Sequence, residues 1–226
     1  MTSFPTLPVV EISEPVKTFR LAHEESPVFS LSIDDEDDLA IRKLIRERVD
    51  SKLLKLDAYK ELAYGDARII HKAFILSRKG GAGRFNDDAR GVWYCALEHD
   101  TAIEEVAYQH IRRMEKSGEE KPSMYKDEVI YQELFAEFAG PFHDARGLPR
   151  NEGILGTEPK TAYPLGQKLT RELRAEGGRG IIYPSVRRQE GFCLVAFHPQ
   201  MVQGLRFGSR WKISWNGSRE YTVEEV

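Results

Sequence analysis

The heptapeptide Gly191-Phe192-Cys193-Leu194-Val195-Ala196-Phe197 carries no polar side chain. Read as a strand, it has no face to give to water and belongs at the centre of a sheet. The rest of the chain has to be arranged around it. Ile181-Ile182-Tyr183 reads as a strand stopped by Pro184, Val92–Ala96 as another, and Thr18-Phe19-Arg20-Leu21 as a short one. Lys212–Trp215 and Arg219–Val223 flank Asn216-Gly217, a strong hairpin signal. Thr101 opens a helix with Glu104 as its capping-box partner and an apolar stripe through Ala102, Ile103, Val106, Ala107, Ile111 and Met114. Leu165, Leu169 and Leu173 mark a second helix that Gly177-Gly178 ends. A third apolar stripe begins at Leu39 and runs to Leu53. The acidic run Ile33–Asp38 before it reads as a helix start rather than a metal site.

Other stretches are less regular. Pro5, Pro8 and Pro15 make residues 1–17 an extended segment over the surface. Val129–Phe138 fits helix and strand equally. Residues Pro141–Pro164, punctuated by glycine and proline, read as loop. Strands and helices interleave without a regular βαβ period. The expectation is therefore an α+β fold, a mixed, mainly antiparallel sheet with packed helices. It is a single domain over 1–226 with a helical insertion near 35–64.

The charge balance, 33 basic against 36 acidic residues for a net −3, argues against a dedicated nucleic-acid binder. Arg206, Arg210, Trp211 and Lys212 are too short a cluster to alter that. No apolar run reaches the ~18 residues of a membrane span, and the first residues lack the pattern of a signal peptide. Cys95 and Cys193 sit in apolar contexts and read as buried thiols of a cytoplasmic protein. No P-loop, dinucleotide fingerprint, H-E-x-x-H or G-x-S-x-G occurs, and no metal site is expected.

Three segments stand out together. They are Gly83-Arg84-Phe85-Asn86 running into Gly91–Ala96, then Thr101-Ala102-Ile103-Glu104-Glu105, then Gly180–Arg187 followed by Gly191–Phe197. In this order they resemble the RES domain family, from about Phe19 to the C-terminal hairpin. The resemblance implies the toxin of a bacterial toxin–antitoxin pair, with a fold like that of ADP-ribosyltransferase toxins and a cleft for NAD. It implies cleavage of the nicotinamide–ribose bond by phosphorolysis or hydrolysis, with NAD as substrate, inorganic phosphate as a possible co-substrate and no cofactor. The implied partner is an Xre-like helix-turn-helix antitoxin that plugs the site, in a homodimer or larger toxin–antitoxin complex. ADP-ribosyl transfer to a protein is the alternative that shares every residue. A non-enzymatic interaction module is the third reading.

Carried onto this chain, the site residues are Arg20 (with Arg68 as its competitor), Arg84, Tyr94, Glu105 and Ser185. Cleavage of NAD develops positive charge on a ribose attached to a pyrophosphate. Guanidinium groups such as Arg20 and Arg84 suit the pyrophosphate. Tyr94 offers a ring to the nicotinamide or a ribose. Glu105, opposite the apolar stripe with Tyr108 and Arg112, offers a carboxylate to the ribosyl cation; its plainer partner is Arg112 or Gln109. Ser185 offers a hydrogen bond to a ribose or a phosphate rather than a nucleophile, since no base is patterned with it. Arg187 and Arg188 are candidates for an attacking phosphate.

Overall fold

The computed structural model describes residues 6–26, 29, 67–77, 83–116 and 125–226. The insertion expected near 35–64 and the acidic run at Ile33–Asp38 lie outside these residues. Seven strands are described: β1 (Val9–His23), β2 (Trp93–Ala96), β3 (Lys126–Asp144), β4 (Gly180–Pro184), β5 (Phe192–Ala196), β6 (Gln203–Asn216) and β7 (Tyr221–Glu225). Helices α1 (His99–Lys116) and α2 (Pro159–Ala175) and a helical stretch over 67–77 pack on them.

The strand order is β1-β2-β5-β4-β3-β6-β7, and β1 also pairs with β3. The first five strands of this order therefore close into a ring, with β6 and β7 extending from it. Only β3 and β4 run parallel, at His143–Ile181 and Asp144–Ile182. The sheet is mixed and mainly antiparallel, as the interleaving of elements predicts. The β1–β2 seam is thin, a single register pair at Phe19 and Ala96.

β5 lies between β2 and β4, and both of its faces are covered. Cys193 and Val195 join Ile181, Tyr183 and Ala96 in a core closed by Ala102, Ile103 and Ala107 of α1 and Leu169 and Leu173 of α2. Leu194 and Ala196 join Trp93, Cys95 and Ile182 in a second core, closed by Ile70, Ala73 and Phe74 of the 67–77 helix. Each large apolar side chain buried in this way contributes about 1.5–3 kcal/mol.

β3 resolves the ambiguous Val129–Phe138 as strand, and its geometry explains the ambiguity. Val129 and Tyr131 face the first core, whereas Leu134, Ala136 and Phe138 face the second. The register against β6 shifts between Gln132 and Leu134. The extra residue there belongs to β6, which spans Arg210 to Phe207 opposite Gln132 and Leu134, and the register of β3 against β1 is unbroken from Tyr131 to Phe138. β3 therefore alternates regularly, but its odd face is covered near its start and its even face farther on, so burial follows neither period across the segment.

Two expectations need correction and one is extended. The N-terminal segment is extended and mostly exposed over residues 9–17, but it is also the first part of one long strand, Val9–His23, on β3. Pro15 fits because the register shifts between Ile12 and Val16, where no ladder hydrogen bond is demanded of it. The loop expected over 141–164 is shorter, since β3 continues to Asp144 and α2 begins at Pro159. Proline at a first helical position is pre-shaped for it and lacks only an N–H that would be unpaired anyway. Finally, α1 begins at His99, so Thr101 lies inside it. The Thr101 hydroxyl donates to Glu98 Oε2 at 2.6 Å instead of capping with Glu104. The end of α2 is as predicted. Gly178 N–H bonds Leu173 O and Gly177 N–H bonds Arg174 O, with Gly177 at φ +81°, a Schellman closure.

Candidate functional site

Because α1 turns its apolar stripe onto the sheet, its other side borders a cleft of about 530 Å³. Glu105, Gln109, Arg112 and Arg113 come to the cleft from α1, and Tyr94, Tyr183 and Cys193 from the strands. Arg84 comes from the loop before β2, Tyr163 from α2, Arg187 from the turn after β4 and Arg20 from β1. Among the described lining residues five are arginines and Glu105 is the one carboxylate. A cleft so charged within a chain of net charge −3 is a local electropositive trap. A separate cavity of about 390 Å³ lies beyond the 83–90 loop. Two of its three arginines are engaged: Arg171 pairs with Asp87 at 3.2 Å, and Arg174 donates to the carbonyls of Gly91 and Phe197.

Glu105 is half-buried and oriented. Its Oε1 accepts the Ser185 hydroxyl at 2.7 Å and has Cys193 Sγ at 3.8 Å. Ser185 is buried, and its Oγ also accepts the backbone N–H groups of Arg187 at 3.0 Å and Arg188 at 3.1 Å. A hydroxyl has one donor and two acceptor positions, and all three are used here within the protein. In this structure the Ser185 hydroxyl is thus given to Glu105, and the serine orients the carboxylate. Glu105 Oε2 makes no hydrogen bond among the described residues and stays available to the cleft. Neither Arg112 nor Gln109 pairs with Glu105. Burial and the neighbouring Glu105 charge push the Cys193 thiol well above its usual range, so it stays protonated.

Arg84 is buried, and its Nη1 donates to the carbonyl oxygens of Ile154 and, at 3.1 Å, Gly156. Its guanidinium lies 5.6 Å from the Tyr163 ring. The loop carrying it is pinned from two sides. Tyr94 Oη accepts Phe85 N–H and donates to Asn86 Oδ1, both at 2.9 Å, and Gln167 of α2 donates to Gly83 O at 2.8 Å. Tyr94 is therefore turned to the cleft, with its hydroxyl holding the Arg84 loop; burial raises its pKa. Its neighbour Trp93 points the other way and is wholly buried.

Arg20 sits at the thin β1–β2 seam. Its Nη1 donates to Tyr94 O at 2.7 Å, taking the place of a ladder hydrogen bond, and its guanidinium covers the Trp93 ring at 4.7 Å. Desolvation lowers its pKa. Arg68, its competitor, is not among the residues lining the cleft. Arg187 stacks on the Tyr108 ring at 3.3 Å, and its Nε is buried with no hydrogen-bond partner. Arg188 departs from expectation: it turns outward to Asp100 at 3.3 Å and does not line the cleft.

Sequence reasoning missed Arg113 and Tyr163 as lining residues, and took Arg112 only as a plain partner of Glu105. Arg112 and Arg113 follow Glu105 by two helical turns, a spacing that puts them along one face. Arg112 donates to Tyr163 Oη at 3.1 Å, so α1 and α2 meet across the cleft. Tyr163 carried no signal because its stretch read as loop. Among the described residues no group of His, Cys, Asp and Glu is placed to hold a metal ion, and no helix is long and apolar enough to cross a membrane.

The RES domain family matches residues 63–216, a span that takes in Arg84, Tyr94, Glu105, Ser185 and Arg187 and leaves Arg20 outside. A solved structure, the crystal structure of the M. tuberculosis MbcT–MbcA toxin–antitoxin complex, aligns over 88% of this chain and 85% of that chain, at 12% sequence identity and a TM-score of 0.43. No curated protein matches the chain.

Proposed function

The chain belongs to the RES domain family, and from that premise we propose that it is the toxin of a toxin–antitoxin pair, an enzyme that cleaves the nicotinamide–ribose bond of NAD. One observation carries the reading: a lone, oriented carboxylate in a cleft lined by arginines from β1, α1 and two loops. NAD has that charge pattern, a doubly negative pyrophosphate attached to a ribose that turns cationic as its bond breaks.

In this reading Arg84 and Arg187 hold the pyrophosphate, with Arg20 behind them. The bond from the ribose anomeric carbon to the nicotinamide nitrogen breaks, and its electron pair leaves with nicotinamide, which becomes neutral. The ribose carries the positive charge, shared with its ring oxygen. Glu105, kept in place by Ser185, meets that charge where it develops, so it favours the transition state over the ground state. An oxygen of inorganic phosphate or of water then bonds to the anomeric carbon, and an attacking water gives up one proton to solvent. Loss of NAD in the cytoplasm arrests growth unless an Xre-like helix-turn-helix antitoxin occupies the cleft.

The test is to incubate antitoxin-free protein with NAD, with and without phosphate, and to identify the products by mass. Release of nicotinamide with ADP-ribose, or its 1-phosphate when phosphate is present, supports the reading. No nicotinamide release overturns it. Release accompanied by ADP-ribose on a protein band replaces it with ADP-ribosyl transfer.

A further inference from the structure

Ser185 fixes Glu105 only if the turn that carries it keeps its shape. That turn, residues 185–191, leaves β4 and re-enters β5, and it is closed by Ser185 N–H to Gly191 O at 2.8 Å. Within it, the amides of Arg187 and Arg188 aim at Ser185 Oγ and so direct the hydroxyl proton to Glu105. Such a turn contains few bonds of its own and gains its rigidity from outside.

Asp100 and Tyr108 hold the side chains of Arg188 and Arg187, and Arg150 holds the backbone of the turn. Arg150 comes from the loop between β3 and α2, far from the turn in sequence, and does not line the cleft. Its Nη1 donates to the carbonyl oxygens of Ser185 and, at 3.1 Å, Arg188; its Nη2 reaches Gly191 O at 3.5 Å. The guanidinium also lies 5.8 Å from the Phe192 ring. One planar fork thus ties the beginning, middle and end of the turn, which a single ammonium on a flexible stem does not reproduce. Resting on the NAD-cleaving reading, we infer that Arg150 is a positioning residue for Glu105, acting through the 185–191 turn and Ser185. No carboxylate pairs with it among the described residues, so its charge is spent on three carbonyls.

The experiment compares Arg150→Lys and Arg150→Met with the parent. Two readouts are used: kcat and KM for nicotinamide release, and hydrogen exchange at the Arg187 and Arg188 amides. The expected result is a fall in kcat of about tenfold in the Lys variant and about a hundredfold in the Met variant, with KM for NAD changed less than about twofold, because misplacing a reacting group costs rate rather than binding. Both amides exchange at least about tenfold faster. Added to Ser185→Ala, Arg150→Met costs little more, since both act through one carboxylate. An unchanged exchange rate, or an unchanged kcat in folded variants of an active parent, overturns the inference. Additive losses in the double variant overturn it as well and leave Arg150 a merely stabilising residue. A parent that releases no nicotinamide sinks the NAD reading instead, and the exchange rates then decide whether Arg150 holds the turn.

Discussion

Ser185 and Glu105 are 80 positions apart in the chain and meet hydroxyl to carboxylate at 2.7 Å. The meeting spends the whole hydrogen-bonding capacity of the serine and leaves one oxygen of the glutamate free for the cleft. Ser185→Ala removes a hydrogen bond to a charged group, worth about 1.5–3 kcal/mol. The expected outcome is a ten- to hundredfold loss in kcat with KM for NAD nearly unchanged, read by steady-state nicotinamide release. A rise in KM alone shows instead that the serine binds the ligand.

Glu105→Gln retains size and the bond to Ser185 but lacks the charge. We expect a loss in kcat of at least about 10³-fold, the scale for removing a group that stabilises developing charge. The melting temperature should shift by no more than a few degrees, as Glu105 Oε2 has no partner to lose. Single-turnover assays with calorimetric melting check both halves.

Arg187→Met separates binding from stability. The guanidinium is desolvated over Tyr108, which lowers its pKa, and its Nε has no partner. Replacing it with an apolar chain of similar length relieves that burial, so the folded protein should be as stable as the parent or slightly more so. NAD binding should weaken about tenfold or more, measured by titration of the inactive Glu105→Gln background.

Gly166 of α2 lies against the Arg84 loop, and a Cβ there would stand 2.3 Å from Arg84 O. Backbone cannot yield as a side-chain tip does. Gly166→Ala should therefore push the loop outward, destabilise the protein by about 1–3 kcal/mol and raise KM, although residue 166 does not itself line the cleft. Chemical denaturation and kinetics on the same sample check it.

The two thiols give a pH dependence. Burial pushes Cys95 up to about 12, and burial with the Glu105 charge pushes Cys193 well above its usual range. Both hold their proton more tightly folded than unfolded. Their contribution to stability is complete below the ordinary thiol pKa of ~8.5 and declines above it by up to about 1.4 kcal/mol per thiol per pH unit. Melting curves at pH 7.5 and 9.5 should show the loss, and iodoacetamide at pH 8.5 should label the unfolded chain but not the native one.

The sequence was most informative where one residue type had one physical outlet. The all-apolar Phe192–Ala196 could only be central, Gly177-Gly178 could only end a helix, and the stripe of α1 placed Glu105 away from the core. It was least informative where a second element decides. The two faces of β3 are covered one after the other, odd positions first and even positions later, so its burial follows no single period. Pro15 and Pro159 each read as breakers because the partner strand and the helix start that accommodate them are not visible locally. In the site, residue types and faces were legible for Arg84, Tyr94 and Glu105. The bonds were not: the Ser185 hydroxyl is aimed by two amides, Arg188 is drawn off by Asp100, and Arg112 finds Tyr163 on another helix.

β3 contributes Val129 and Tyr131 to one apolar layer and Leu134, Ala136 and Phe138 to the other. A single backbone therefore serves as the shared wall of both compartments. Neither compartment can dissolve while its neighbour stays intact, because the same nineteen-residue ribbon would have to detach from both. Thermal denaturation of these layers should accordingly be one event, and cutting the chain within this ribbon should leave no half that folds alone.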